Sequence, residues 1–458
     1  MSTHRGLSTS LSTRGRLSDW NISSHNKVSM EAWRARLKRV LTEFEELDDA
    51  ECSEMLVLHA LRGAEGVITH PVKKQRGGSV PGRAANVDRD REAGHARLIA
   101  DYFAPNPVYN SRLFRRRFRL PPAMFDIVLE GVLEADDYFV QKKDALGVPG
   151  LSPYQKVTAA LRMCCYGVAA DSTDEYLRLA ESTAMKSFKR FALAVVTHFG
   201  AEYLRDPTEE DIHRHAELNA RRGFPGMFGS LDCTHWVWKN CPVGWQGMYQ
   251  DRDGNSSVIM EAVATKDLWI WHHSLGIPGS NNDINVLDRS PLIVNWLGGH
   301  APNYEFTLNG HDFKMCYLLT DGIYPNWSVF VKTISDPVGK KEKNFAAMQE
   351  AARKDVERCF GVLKSRFGIL SQPGRLWDEA MMRTVWKACV ILHNMVVEYG
   401  RDDECDYLED VQVRLSAREN LTFDSLLMEM TSLQNPQNHS VLQENLVEEL
   451  WHFKMANS

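Results

Sequence analysis

The chain has 458 residues, 43% of them hydrophobic, which is enough to build two or three globular parts with a substantial core. This composition excludes a disordered or fibrous protein, and no run of residues approaches the roughly 18 to 20 apolar positions that a membrane-spanning helix needs. The net charge of −6 excludes attraction to nucleic acid by the field of the whole molecule, so any contact with phosphate must come from local basic patches.

The first 95 residues combine three kinds of composition. Residues 1–28 are rich in Ser, Thr and Arg and predict a flexible basic arm, residues 30–61 predict a helix with an acidic cluster, and a loop-like linker then ends near Gly94. Residues 1–120 hold 21 Lys and Arg against 14 Asp and Glu. The N-terminus has no apolar core that would serve as a secretion signal, and the nine cysteines include no C-x-x-C pair, so we expect a reduced intracellular protein.

Residues 96–222 have a helical pattern. The segment SPYQKVTAALRMCCYG predicts a helix that begins after Ser152 and ends at Gly167. Further along, Ser172 and Glu175 predict a capping box for a short helix, and Ser182 is the expected cap of a longer helix.

The longer helix has an apolar face and a basic face. The apolar positions are Phe188, Phe191 and Val195, and the basic ones are Lys186, Lys189 and Arg190. Two helices joined by a tight turn, the second of them basic, are what a DNA-binding helix-turn-helix requires. Ordinary packing in a helical bundle produces the same pattern, so both interpretations stay open.

Residues 223–400 predict a mixed sheet covered by helices. The β-rich runs are FGSLDCTHWVW, SSVIMEAVATKDLWIWHHSLGIPG with a turn at Lys266 and Asp267, KMCYLLTDGIYP, and WSVFVKTIS. A helical segment over 281–297 separates the second run from the third, and two helices, over about 343–370 and 379–399, follow the last. Residues 401–458 form an acidic C-terminal tail with 4 basic and 12 acidic residues.

Two aspartates occupy unusual places in the strand-like runs. Asp232 lies inside GSLDCTHW, and Asp321 ends an apolar run that then breaks at Gly322 and Pro325. A strand interior disfavours Asp, and a charge at the rim of a core is costly unless something pairs with it. Two such aspartates in one sheet indicate that they share a function.

A glutamate on the following helix is the third candidate. The buried stripe of this helix consists of Phe345, Met348, Ala352, Val356, Phe360, Leu363 and Phe367. Steps of about 100° per residue place Glu357 on the flank of that stripe, together with Arg353 and Lys364. A carboxylate bordered by cations at the rim of a sheet is well placed to hold metal against phosphate.

The chemistry that suits three such carboxylates is phosphodiester cleavage. Two divalent metal ions, Mg²⁺ or Mn²⁺, would sit about 3.5 to 4 Å apart, one activating the attacking oxygen and one stabilising the leaving oxygen. Magnesium prefers a few carboxylates plus water and substrate phosphate, so no His or Cys ligand is needed. The alternative is structural: an Asp at a strand end often forms a turn, and a Glu beside Arg and Lys is often a solvated ion pair.

Basic residues outside the carboxylate trio provide candidate phosphate contacts. Lys340 and Lys341 open the basic segment 336–375 and predict contact with the DNA backbone beside the proposed site. The run RLFRRRFRL holds five arginines, for which a solvated helix entry, a phosphate grip and a nuclear import signal all stay open.

Five motifs, in this order, resemble the signatures of PIF/Harbinger-type transposases: GSLDCTHW, PGSNNDINVL, LLTDGIYP, VERCFGVLKSRF and ACVILHNMVVE. Upstream, YFAPNPVYNSRLFRRRFRL resembles the segment that precedes the nuclease domain in related members, so the resemblance covers residues 98 to about 400. It implies an RNase-H-like fold in which the acidic triad of the family corresponds to Asp232, Asp321 and Glu357. Asp283 is also typical of the family; we expect it to cap the following helix, and a ligand role is the alternative.

The resemblance implies a nuclear DNA transposase. Such an enzyme would cut the ends of its element and join the freed 3′ hydroxyls to target DNA. A homo-oligomer on DNA and a Myb-like partner protein encoded by the element would assist it. The competing hypotheses are a domesticated nuclear protein that binds DNA or chromatin without cutting, and a nuclease that does not transpose.

Overall fold

The computed structural model describes residues 87–297, 301–402, 428 and 430–457. The predicted basic arm and the predicted helix over 30–61 lie outside the described residues. The described chain begins with a mostly helical part. Its α-helices are α1 (Arg91–Leu98), α2 (Ser111–Phe118), α3 (Pro122–Ala135), α4 (Pro153–Tyr166), α5 (Asp174–Leu177), α6 (Glu181–Tyr203) and α7 (Glu209–Ala220).

A five-stranded mixed sheet follows within the described residues. Its order is β3-β2-β1-β6-β7, and β4 and β5 form a separate hairpin. Strand β2 pairs antiparallel with both β1 and β3, whereas β6 pairs parallel with β1 and β7. The strands are β1 (Met227–Val237), β2 (Ser257–Ala264), β3 (Ile270–Pro278), β4 (Asn303–Leu308), β5 (His311–Met315), β6 (Tyr317–Leu319) and β7 (Phe330–Val331).

Helices flank this sheet, as the sequence predicts. The short ones are α8 (Gln246–Tyr249), α9 (Asp283–Leu287) and α10 (Pro291–Asn295), and the long ones are α11 (Gly339–Arg366), α12 (Glu379–Asp402) and α13 (Pro436–Ala456). Helix α11 packs against β1, β2 and β6, and α12 packs against β3. Every residue of β2 is buried, because the sheet is covered on both faces. Among the described residues, no helix has the length and apolar content that a bilayer crossing requires.

The predicted helix ends are confirmed for α4 but not for its neighbours. Ser152 caps α4 in a capping box with Gln155, and Gly167 ends the helix with a positive φ of 64°. The predicted capping box at Ser172 is wrong, because this hydroxyl donates to the carbonyl of Ala169 at 2.7 Å within a 3₁₀ turn. Ser182 is likewise not a cap, since it lies inside α6, which starts one residue earlier.

The run KMCYLLTDGIYP does not form one strand. It divides at Cys316: the part before it belongs to the β4–β5 hairpin, and the part after it forms β6 in the main sheet. The backbone N–H of Cys316 bonds to the carbonyl of Pro302, whereas that of Tyr317 bonds to Gly226 beside β1. This change of hydrogen-bond partner makes β6 short and leaves Asp321 just beyond its end.

The acidic C-terminal segment contributes to the core. Helix α13 buries Leu442, Leu446 and Leu450 in a cluster with Tyr317 of β6 and Phe345 of α11. The sequence predicts this segment only as an acidic tail, because its charges hide the spacing of four between the three leucines. Its burial against β6 and α11 supports the elements that carry the candidate site. At the other end, α1 begins at residue 91, where the sequence predicts linker to about residue 94.

Candidate active site

Asp232 and Asp321 lie just beyond the point where the parallel pairing of β1 and β6 ends. Strands β1 and β6 are parallel, and their last paired residues are Ser230 and Leu319. Asp232 lies two residues beyond Ser230, and Asp321 lies two residues beyond Leu319. Neighbouring strands are about 4.8 Å apart and side chains alternate between faces, so this register brings the two aspartates to one level of the sheet. The predicted meeting of two strand-borne carboxylates therefore agrees with the strand register.

Each aspartate is held by a nearby backbone amide. Oδ1 of Asp321 accepts from the N–H of Ile323 at 3.0 Å, and this local bond turns the chain sharply after β6. Lys332 donates to the carbonyls of Tyr324, at 2.9 Å, and Gly322, at 3.4 Å, and so holds the turn from the other side. The sequence pattern does not predict a role for Lys332, whose only signal is its position directly after the apolar SVFV run.

Arg353 links Glu357 to the sheet, because its guanidinium contacts both Glu357 and Asp232. Nη2 of Arg353 lies 2.8 Å from Oε1 of Glu357, one helical turn away, and its Nη1 lies 3.7 Å from Oδ2 of Asp232. The side chain of Glu357 is 43% exposed, whereas that of Asp232 is only 17% exposed. On the same flank of α11, Nζ of Lys364 donates to Oγ1 of Thr234 at 2.8 Å. The flank predicted from helical periodicity is therefore the one that contacts β1.

The environment of Asp232 favours its protonated form. Burial, together with the negative charges of Glu357 and Asp283, raises the pKa of this carboxyl to about 6. The N–H of Cys233 and the guanidinium of Arg353 oppose this rise. A carboxyl held between like charges at a partly buried edge needs a cation to ionise fully, and a divalent metal ion would supply one.

Asp283 belongs to this acidic group and does not cap α9. The cap is Asn282, whose Oδ1 accepts from the N–H of Asn285 at 2.9 Å, so the expected capping role for Asp283 is wrong. Burial raises the pKa of Asp283, and the charge of Asp321 raises it further. The charges of Glu357 and Asp283 act on Asp232, and that of Asp321 acts on Asp283, so these four carboxylates form one acidic group.

The donor set suits a divalent cation, but its geometry is not that of a finished metal centre. Over the described ranges, no group of three or more His, Cys, Asp or Glu side chains is arranged to hold a metal ion. The guanidinium of Arg353 instead occupies the cationic position between Asp232 and Glu357. The residues thus fit a hard cation in charge and in donor type, and Arg353 would have to move for one to bind both carboxylates.

The predicted lysine patch lies away from the acidic group. Lys340 and Lys341 are at the start of α11, and at 1.5 Å per residue they are about 25 Å along the helix axis from Glu357. Lys341 pairs with Glu448 of α13 at 2.6 Å. These two lysines therefore lie at a distance from Glu357, although the segment 336–375 that they open includes it, and contact of this segment with DNA stays a prediction.

The helix-turn-helix candidate is present as a pair of helices, α5 and α6. Lys186, Lys189 and Arg190 are all exposed on α6. Arg190, however, pairs with Asp136 through two hydrogen bonds, and the opposite face of α6 packs against α3, α4 and α12. These contacts explain the helix pair as part of a bundle, and DNA contact through its lysines stays a prediction.

Comparison with known proteins gives matches in both halves of the described chain. Residues 201–404 match the family described as plant transposon protein, and residues 94–133 match a domain of unknown function. The protein named ALP1-like from Arabidopsis thaliana is 24% identical over 298 residues, which cover 63% of this chain and 71% of the relative. Human HARBI1, named as a candidate nuclease, is 23% identical over 256 residues, which cover 55% of this chain and 69% of the relative.

A further Arabidopsis thaliana relative is named antagonist of like heterochromatin protein 1. It is 22% identical over 279 residues, which cover 57% of this chain and 65% of the relative. No solved structure gives a significant match.

The fold and the site together define a mixed α/β protein with an acidic group where the parallel pairing of two strands ends, and a cation-bearing helix beside it. This arrangement spans the residues that match the plant transposon family. The matched segment and these relatives make the chain similar to Harbinger-type, transposase-derived proteins. The resemblance found from the five sequence motifs is thereby confirmed.

Proposed function

We propose that this protein is a metal-dependent DNA nuclease and strand transferase with an RNase-H-like fold. Asp232, Asp321 and Glu357 would hold two Mg²⁺ or Mn²⁺ ions at the edge of the sheet. The observation that carries the proposal is the position of Arg353, whose guanidinium bridges Asp232 and Glu357 where a metal ion would otherwise balance their charge. The order β3-β2-β1-β6-β7, with the aspartates on β1 and just after β6, supports the same assignment.

The three carboxylates would bind the metal ions, and basic residues beside them would position the phosphate. The bound ions supply activation of the attacking oxygen and stabilisation of the leaving oxygen. Lys364, held at Thr234 beside Asp232, would orient the scissile phosphate. Burial lowers the pKa of Lys364, but its ammonium is the form that would contact a phosphate oxygen. Arg353, once displaced from the carboxylates, would be free to pair with DNA.

The biological reaction in this proposal is transposition. The enzyme would cut the ends of its element and then join the 3′ hydroxyls to target DNA at the same site. It would act in the nucleus, as a homo-oligomer on DNA, together with a Myb-like partner protein. These features rest on the similarity of the chain to Harbinger-type transposases.

A second candidate function is DNA or chromatin binding without cleavage, as in a domesticated host protein. Two observations favour it. One relative carries the name antagonist of like heterochromatin protein 1, and the Arg353 bridge closes the acidic group against metal. The intact set of Asp232, Asp321 and Glu357 favours the enzyme instead.

The test is a nicking assay on labelled DNA with Mg²⁺ or Mn²⁺ and with a chelator. We expect metal-dependent cleavage that Asp321→Asn or Glu357→Gln abolishes, while DNA binding and thermal stability persist. Glu350→Gln on the exposed part of α11 is the matched control and should keep full activity. Chelator-resistant cleavage, or cleavage by the Asp321→Asn protein, would contradict the mechanism. DNA binding without any cleavage would favour the second candidate.

A further inference from the structure

A second charged site lies on the far side of α11 from the acidic group. It is a cavity of about 670 Å³ between α2, α11 and α12, lined by four arginines and a tyrosine among its residues: Arg115, Arg119, Arg358, Arg366 and Tyr399. All the lining residues belong to the described chain, and none of them is Asp or Glu. We refer to this cavity as the arginine groove.

Arg366 is a half-buried cation without a carboxylate partner among the described residues. Its Nη1 donates to Nδ1 of His393 at 2.8 Å, and burial lowers the pKa of that imidazole to about 3, so His393 is neutral. Burial also lowers the pKa of Arg366 to about 10, and no Asp or Glu raises it. Arg366 therefore stays charged at neutral pH, in a place where an unpaired charge is costly.

The charge of Arg119 also has no carboxylate partner among the described residues, and the backbone of this residue is held in a strained conformation. It ends α2 with a φ of 58°, a left-handed conformation at which helices usually place Gly. Its Nε is buried without a hydrogen-bond partner in the described chain, and its guanidinium lies 6.0 Å from the centre of the Tyr166 ring. An arginine kept in an unfavourable backbone conformation, with an unused donor, indicates a ligand that the structure does not contain.

The other two arginines complete the positive surface. Arg115 is exposed and makes no ion pair or hydrogen bond through its side chain within the described ranges. Arg358 is the compensated member, since it pairs with Asp355 at 3.3 Å and donates to the carbonyl of Lys266 at 2.6 Å. The groove thus presents three arginines whose charges no carboxylate in the described part of the chain neutralises.

We propose that the arginine groove binds backbone phosphates of DNA at a distance from the cleavage position. Guanidinium groups match phosphate oxygens in charge and in geometry, and no acidic side chain in the groove would repel them. The proposal takes DNA as the ligand from the proposed function, but it concerns binding and does not require the protein to cut.

The position of the groove on α11 supports DNA over a small phosphate compound. Steps of 100° per residue place Arg353, Glu357 and Lys364 on one flank of the helix, and Arg358 and Arg366 on the other. A helix with its side chains is about 10 to 12 Å wide, and DNA advances about 3.4 Å per nucleotide along one strand. A strand that crosses α11 would thus place a phosphate in the groove about three nucleotides from the one at the acidic group.

The experiment compares two double variants that remove the same charge from the same helix. Arg115→Gln with Arg119→Gln empties the groove of two cations, whereas Arg112→Gln with Arg116→Gln removes two exposed arginines that do not line it. Binding of the full chain to a fluorescein-labelled duplex is measured by anisotropy in EDTA over a range of salt concentrations.

We expect the groove variant to lose about 1.8 from the slope of log affinity against log salt, and roughly 30-fold in affinity at 0.15 M salt. The control pair should lose less than half as much. Equal losses in the two variants would mean that net charge alone matters and would overturn the proposal, as would unchanged binding in the groove variant. Cleavage is absent in EDTA, so a protein that fails as a nuclease still tests the groove.

A third variant tests the groove without removing any arginine. Gly361 lines the groove, and a Cβ added there meets no atom within 4 Å. Gly361→Glu should therefore fold normally and weaken DNA binding by placing a carboxylate among the arginines. Wild-type affinity in this variant would contradict the proposal. Competition with inositol hexaphosphate separates the two sources of phosphate: tight binding of this probe in the groove, with DNA affinity independent of the groove, would assign the site to a small phosphate compound instead.

Discussion

The guanidinium of Arg353 lies 3.7 Å from a carboxylate oxygen of Asp232 and links α11 to the central strand of the sheet. The same guanidinium holds Glu357 of its own helix at 2.8 Å. Arg353 therefore balances the charge of the acidic group in the absence of a metal ion. It also competes with any divalent cation for the same oxygens.

Replacement of Arg353 by Met should expose this competition. Without the guanidinium, Asp232 and Glu357 lose their shared cation, so we expect Arg353→Met to unfold more easily in EDTA, by about 1 to 3 kcal/mol. Added Mg²⁺ should raise its melting temperature more than that of the wild type, because no cation competes for the carboxylates. Thermal unfolding over a series of Mg²⁺ concentrations measures both effects.

The control for Arg353→Met is Lys354→Met, which removes an exposed charge from the next position of α11. This variant should behave like the wild type in EDTA and in Mg²⁺. If all three proteins respond equally to Mg²⁺, Arg353 does not occupy a metal position.

Replacement of Asp232 by Asn should stabilise the metal-free protein at neutral pH. The pKa of Asp232 is raised to about 6 from an ordinary value of 3.8, so the folded state binds this proton more tightly than the unfolded chain does. The folded state therefore loses stability as the pH rises from about 4 to 6, and Asn avoids this loss. We expect Asp232→Asn to gain on the order of 2 kcal/mol at pH 7.5 and nearly nothing at pH 4, by urea unfolding in EDTA. An Asn variant less stable than the wild type at pH 7.5 would contradict the conclusion that the ionised carboxylate of Asp232 destabilises the folded state.

The sequence could predict the parts of the site that depend on local periodicity. Asp232 and Asp321 stand out because a carboxylate is unexpected in an apolar strand, and Glu357 follows from a helical stripe that is regular over more than five turns. Arg353 and Lys364 fall on the predicted flank because side-chain direction in a helix is fixed by its period. Each of these inferences needs only the residues of one element.

The sequence could not predict features that depend on contacts between distant elements. The sequence predicts only an acidic tail where α13 lies, because its three leucines are buried by contact with Tyr317 and Phe345 of distant elements. The arginine groove combines α2 with α11 and α12, and no periodicity within one of them indicates such a meeting. The position of Asp283 at the start of a helix predicts that it caps this helix, but the cap is Asn282.

The role of α13 is open to a direct test at Leu446. This side chain is fully buried, so Leu446→Ala should cost about 2 to 5 kcal/mol in the free energy of unfolding. Val441→Ala on the exposed side of the same helix should cost less than about 0.5 kcal/mol. Urea unfolding of the two variants decides the point: similar small losses in both would mean that α13 does not belong to the cooperative core.

A buried histidine predicts how the fold responds to acid. Burial lowers the pKa of His215 to about 4, with the carboxylate of Asp267 opposing this shift and the positive charge of Arg214 adding to it. The stability that follows from the neutral ring is fully present above the ordinary pKa of 6.5 and is lost as the pH falls toward 4. His215 should thus account for about 2 kcal/mol of the stability lost between pH 7.5 and pH 5.

His215→Phe keeps an aromatic ring beside Phe228 and Trp271 but removes the titration. We expect this variant to show a smaller loss of unfolding free energy between pH 7.5 and pH 5 than the wild type, whatever its absolute stability. The exposed His213 provides the matched control, because His213→Phe should leave the pH dependence unchanged. Urea unfolding at the two pH values measures the difference, and equal pH dependence in the His215→Phe and wild-type proteins would show that the ring at position 215 does not resist protonation in the folded state.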